Sequence, residues 1–113
     1  MIIEDDAHIG AFLIEAITQE TPYCAMLVGN GAEALKTIEN LKPNLLILDY
    51  HLPGINGLEL YDQIHIMPEM TQVPAIMMSA SLPLRELEQR TIVGIRKPFE
   101  LDDFLQTVTD LLE

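Results

Sequence analysis

This sequence of 113 residues has one cysteine, few basic residues and no long apolar run. Cys24 has no second thiol to pair with, so an internal disulfide is excluded. Its apolar surroundings, Cys24-Ala25-Met26-Leu27-Val28, predict a buried, inert thiol suited to a reducing compartment. Only 6 basic residues stand against 18 acidic ones, and the net charge of −12 creates a field that repels phosphate backbones and anionic lipid. Direct binding to nucleic acid or to a membrane is therefore disfavoured. No apolar stretch approaches the roughly 18 residues of a membrane span. Met1-Ile2-Ile3 leads straight into acids, without the basic, apolar and small-residue sections of a signal peptide. The expected location is the cytoplasm. Internal repeats and low-complexity stretches are also missing. What is present suits a globular protein: 49% apolar and 21% charged residues, in a chain long enough for one compact domain, residues 1–113, with one core.

Short β-type apolar runs alternate with segments of helical period, which is the sequence form of stacked βαβ units. The first run, residues 1–4, has no spare residue before its first acid. Ile9, Phe12, Leu13, Ala16 and Ile17 then place one apolar stripe on a helix that Pro22 ends. A strand is expected over 24–28, followed by a Gly29-Asn30-Gly31 turn. Ala34, Leu35, Ile38 and Leu41 stripe a second helix, which stops at Pro43. Leu45-Leu46-Ile47-Leu48 is apolar at every position, as befits a strand covered on both faces. Asp49 follows, then a loop punctuated by Pro53, Gly54 and Gly57, and a helix from about residue 58 that Pro68 closes. A strand over 73–78, a short helical segment over 83–90 and a strand over 91–95 come next. Leu101, Phe104, Leu105, Val108, Leu111 and Leu112 stripe the last helix. Five strands and five helices in alternation predict an open parallel sheet with helices on both faces, because right-handed crossovers allow little else.

In such sheets, ligands sit outside the carboxyl ends of the strands, where the strand order reverses. For the order 2-1-3-4-5, the first and third strands are neighbours at that point, so Glu4-Asp5 faces Asp49, with Ser79 and Lys97 on the same rim. Carboxylates gathered there repel one another unless a cation neutralises them. Oxygen-only ligands with room for water favour magnesium, Mg2+. Lys97 can pair with a carboxylate when the site is empty and with a phosphoryl oxygen when it is filled. Lys97-Pro98-Phe99 reads as a rigid turn that aims the lysine, with a cis bond as one option. The Ser79 hydroxyl can donate to a phosphoryl oxygen, or simply belong to a turn.

These residues resemble the receiver domain of two-component response regulators, a flavodoxin-like, chemotaxis-type fold, over almost the whole chain. The resemblance rests on Ile2-Ile3-Glu4-Asp5-Asp6, Gly31-Ala32-Glu33-Ala34-Leu35, Leu46-Ile47-Leu48-Asp49-Tyr50-His51-Leu52-Pro53-Gly54, Asn56-Gly57-Leu58-Glu59, Pro74-Ala75-Ile76-Met77-Met78-Ser79-Ala80 and Lys97-Pro98-Phe99, in that order and at that spacing. It implies that Asp49 is the phosphoacceptor and that Glu4, Asp5 and Asp49 hold magnesium with the main-chain carbonyl of His51. It also implies that Ser79 is the switch hydroxyl and Lys97 the family's lysine. The phosphoryl donor would be a phosphohistidine on a sensor histidine kinase or histidine phosphotransfer protein, and the output a changed contact with a downstream effector protein or domain. A receiver is not a conventional enzyme, although it assists its own phosphorylation and autodephosphorylation. The His51 side chain, two residues past the acceptor, either influences the hydrolytic water or is merely an exposed loop residue. A phosphohydrolase is disfavoured, because such enzymes pair the nucleophile with a second acid where this chain has His51.

Two features depart from the pattern. Gly94 stands three residues before Lys97, where common receivers carry an aromatic whose rotamer reports phosphorylation. The segment between Ser79 and Lys97 is about four residues short, roughly one turn, which predicts a shortened fourth helix. Both fall on the face through which relatives bind targets or form homodimers. They motivate a second reading, a receiver-like binding module that signals without phosphorylation. The abrupt start means either a brief first strand or a chain that begins later than its relatives do.

Overall fold

The computed structural model describes residues 1–113. Strands and helices alternate as β1 (Ile2–Ile3), α1 (Ala7–Glu20), β2 (Leu27–Val28), α2 (Gly31–Ile38), β3 (Leu46–Asp49), α3 (Gly57–His65), β4 (Ala75–Ser79), α4 (Leu84–Gln89), β5 (Val93–Arg96) and α5 (Leu101–Leu112). The strands form one parallel sheet in the order β2-β1-β3-β4-β5. Ile3 pairs with both Val28 and Leu48, Asp49 with Met78, and Ser79 with Arg96. Flavodoxin-like topology and a shortened fourth helix of 6 residues are therefore both present.

The uniformly apolar third strand works because its side chains alternate between two cores. Leu46 and Leu48 join Ile3, Met77, Ala34 and Leu60 under α2 and α3. Leu45 and Ile47 join Ile2, Ile76, Leu13 and Phe104 under α1 and α5. All four residues of β3 are buried. The sheet thus holds its central strand tips rigidly between two packed layers. No helix is long and apolar enough to cross a membrane.

The helical stripe of α1 lies rotated from the expected one. Ile9 and Phe12 are exposed, at 37% and 53%, while Gly10, Leu13, Ala16 and Ile17 are buried. Gly10 is the reason: a Cβ there would lie 2.7 Å from the Leu27 methyls, so its bareness lets β2 approach the helix. Leu41, expected on the stripe of α2, follows the end of that helix and is exposed. Cys24 is also exposed, contrary to the buried thiol expected. The chain before β2 runs extended along the sheet edge, where Tyr23, Ala25 and Leu27 turn inward onto the α1/α5 core. Cys24, between two inward residues, points out.

Beyond the sheet, Arg90 at the end of α4 grips Asp62 of α3 through Nε at 2.7 Å and Nη2 at 2.9 Å. The pair is part-exposed and solvent screens it, so Arg90→Ala is expected to cost only about 0.5–1 kcal/mol in urea melts.

Candidate functional site

β1 and β3 end side by side because Ile3 pairs with Leu48, which carries the next residues, Glu4 and Asp49, to one rim. Side-chain oxygens of Glu4, Asp5 and Asp49 all lie within 4.8 Å of one another. Lys97 follows β5 and reaches across β4 to them. Its Nζ lies 2.9 Å from Asp49 Oδ2 and 3.7 Å from Glu4 Oε1. The amide of Lys97 donates to the Ser79 carbonyl at 2.9 Å, which ties the tips of β4 and β5, and the Lys97-Pro98 peptide is cis. Ser79 is buried, and its hydroxyl donates to the Ser81 carbonyl at 3.1 Å. His51 lies exposed in the loop, with its amide donating to Asp49 Oδ1 at 3.1 Å. The sequence-derived acids, lysine, serine and histidine are therefore all on one rim of the sheet.

Burial differs sharply among the acids. Glu4 and Asp49 are buried, at 2% and 7% exposure, whereas Asp5 is open to solvent. One Glu4 oxygen, Oε2, accepts the Asp6 amide at 3.2 Å; the other, Oε1, is buried without a hydrogen-bond partner. Such an orphaned carboxylate oxygen is the kind of ligand a hard cation satisfies, so the donor set fits a metal ion. Burial pushes the Glu4 carboxyl up to about 7, and the Asp49 charge adds to the push against the Asp6 amide and Lys97. For Lys97, burial opposes the charge, but the hydrogen bond to Asp49 and the field of both acids outweigh it and raise its pKa.

A folded-state value for Glu4 above its ordinary 4.5 means that the folded protein binds more protons than the unfolded chain between about 4.5 and about 7. In chelator, stability is therefore expected to fall as pH rises through that window. Thermal melts of the wild type against Glu4→Gln check it, since the glutamine variant should lose that part of the slope.

Two site residues escaped the sequence reading of roles. Asp6 caps α1, accepting from the His8 amide at 2.9 Å and the Ile9 amide at 3.1 Å, while its own amide serves Glu4. An acid just ahead of a helical stripe is the sequence signal for such a cap. Gly57 supports the acceptor loop from behind. Its amide donates to the Tyr50 carbonyl at 2.8 Å, and a Cβ on it would lie 2.7 Å from the Asp49 carbonyl oxygen. A cavity of about 480 Å³, lined mostly by apolar side chains such as Ile17, Leu45 and Val108, lies away from this rim and contains none of its acids.

The family model for the response regulator receiver domain matches residues 1–109. The chain belongs to this family. The receiver is 26% identical over 116 residues to sporulation initiation phosphotransferase F of Bacillus subtilis, covering 99% of this chain and 92% of that protein. It is 28% identical over 112 residues to the DNA-binding response regulator MtrA of Mycobacterium leprae, covering 96% of this chain but only 48% of that protein. In fold, it resembles the chemotaxis protein CheY4 of Vibrio cholerae, with a TM-score of 0.88 at 20% identity over 98% of this chain and 95% of that one. The receiver is thus a module of two-component signalling.

Proposed function

We propose that the receiver accepts a phosphoryl group on Asp49 and that this changes its contact with a partner. The observation that carries the reading is the Lys97 ammonium 2.9 Å from the Asp49 carboxylate, beside two further acids. Residues 1–113 act as one receiver unit, free-standing or within a longer regulator. The donor is a phosphohistidine of a histidine kinase or phosphotransfer protein. One carboxylate oxygen of Asp49 forms the O–P bond as the N–P bond breaks, and Lys97 offsets charge on the equatorial oxygens. Glu4, Asp5, Asp49 and the main-chain carbonyl of His51 are the groups to hold magnesium. When bound, that ion neutralises the clustered acids and the phosphoryl charge. The His51 amide orients the acceptor carboxylate through its hydrogen bond to Oδ1. The Ser79 hydroxyl, which donates to the Ser81 carbonyl at 3.1 Å, redirects that proton to a phosphoryl oxygen once Asp49 carries one.

Incubation with acetyl phosphate and magnesium, read by intact mass, tests this. One added phosphoryl group is expected on the wild type, none on Asp49→Ala, and little on either in excess chelator. A wild type that stays unmodified while another receiver in the same tube is labelled would overturn the reading and favour the phosphorylation-independent binding module.

A further inference from the structure

A serine hydroxyl has one proton to donate. Ser79 gives it to the Ser81 carbonyl at 3.1 Å and accepts the Ser81 amide on the same oxygen at 3.1 Å. This reciprocal pair closes the turn that leads from β4 toward α4. The next residue, Leu82, rests on Gly94 of β5 beside Leu87 of α4. A Cβ on Gly94 would lie 3.0 Å from Leu82 Cδ1 and 2.9 Å from Leu87 Cδ1. The two leucines therefore fill the space that a side chain at position 94 would claim. At its far end, α4 is tied to α3 by the Arg90 fork on Asp62, whereas its first turn carries no side-chain cap. One end of the helix is clamped, and the other depends on the Ser79–Ser81 pair and on the leucine seat.

We infer that Leu82 on Gly94 is the relay between the phosphoryl site and the α4–β5 face: a phosphoryl oxygen that takes the Ser79 proton releases the Ser81 carbonyl, opens the turn and unseats Leu82. The inference rests on Asp49 being the acceptor. Competition for a single proton supplies the coupling, since Ser79 cannot fully serve both oxygens. Proximity supplies the transmission, because Ser81 and Leu82 are adjacent in the chain. Gly94 is what makes the seat, for any larger residue would hold the leucines off β5. Leu84 and Val93, on the same two elements, are exposed at 60% and 37%, so unseating alters an apolar surface open to a partner.

The test is methyl NMR and amide hydrogen exchange on the full chain, with and without beryllium fluoride plus magnesium as the phosphoryl stand-in, and with bound fluoride followed by its own NMR signal. With fluoride bound, the Ser81 amide, which donates to Ser79 Oγ in the closed turn, is expected to exchange about five- to tenfold faster, the factor that one net hydrogen bond represents, and the Leu82 and Leu87 methyl signals to shift together. Gly94→Ala adds a methyl against two flexible side-chain ends and is expected to produce the same methyl shift without fluoride. Ser79→Ala removes the tie, so exchange is fast in the free protein and fluoride adds nothing. Bound fluoride with unmoved Leu82 and Leu87 overturns the relay and leaves the acceptor reading standing. Absence of bound fluoride, with Ser79→Ala still releasing Leu82, locates the failure in the acceptor reading instead. If Ser79→Ala leaves Leu82 seated, the relay is wrong whichever way fluoride behaves.

Discussion

Lys97→Met is expected to slow phosphoryl transfer from acetyl phosphate to Asp49 by about 10²–10³-fold, the usual loss when one preorganised charge-stabilising donor is removed. The ammonium lies 2.9 Å from Asp49 Oδ2 and 3.7 Å from Glu4 Oε1, and the neighbouring acids raise its pKa. It therefore meets the incoming group fully charged. Methionine keeps much of the apolar stem and removes only the charge, which separates chemistry from packing. The same variant leaves two buried carboxylates with less compensation, so in chelator it is also expected to melt earlier than the wild type. Rates of mass gain with acetyl phosphate and magnesium, measured where both proteins are folded, check the main effect. Transfer at the wild-type rate would remove Lys97 from the chemistry and reduce it to a structural ion-pair partner.

Gly57→Ala is expected to cost about 1–3 kcal/mol of stability, the range for forcing extra volume into a packed position. The new Cβ would lie 2.7 Å from the Asp49 carbonyl oxygen, 3.0 Å from Tyr50 Cα and 2.7 Å from Met77 Sδ. Two of those neighbours are backbone, which cannot swing aside as a side-chain end can. Because the clash falls on the peptide of Asp49 itself, phosphorylation should drop by more than the lost stability explains. Urea melts give the first quantity, and labelling at a temperature where the variant is fully folded gives the second. Gly29→Ala is the control: its nearest neighbour is Glu33 Oε2 at 3.8 Å, and the change should be close to neutral. Equal stability for Gly57→Ala and the wild type would show that the acceptor loop is not braced in this way.

The element order and the parallel, two-sided sheet were legible because periodicity and chain punctuation are short-range signals. The apolar stretch before Asp49 announced a strand covered on both faces, and its residues do divide between two cores. The acids of the first and third strands were placed together by the strand order 2-1-3-4-5, which makes those strands neighbours where the order reverses, and the structure holds their oxygens within 4.8 Å. The stripe of α1 misled because hydrophobic counting weighs side chains. It gave Ile9 and Phe12 to the core and overlooked Gly10, whose value there is having no side chain. Cys24 misled in a similar way, since an apolar neighbourhood along the chain does not reveal which alternate residue of an edge segment points outward.

By itself, the sequence determined the kind of sheet, the order of its elements and the residue types on its carboxyl rim. Periodicity, chain punctuation and crossover handedness are local or topological, and they act before any side chain meets a distant partner. Only the tertiary structure decided that Glu4 Oε1 is orphaned, that the Ser79 proton is already engaged by Ser81, and that two leucines occupy the space beside Gly94. Those outcomes depend on gaps of a few tenths of an ångström between atoms far apart in the chain, and packing sets such gaps collectively.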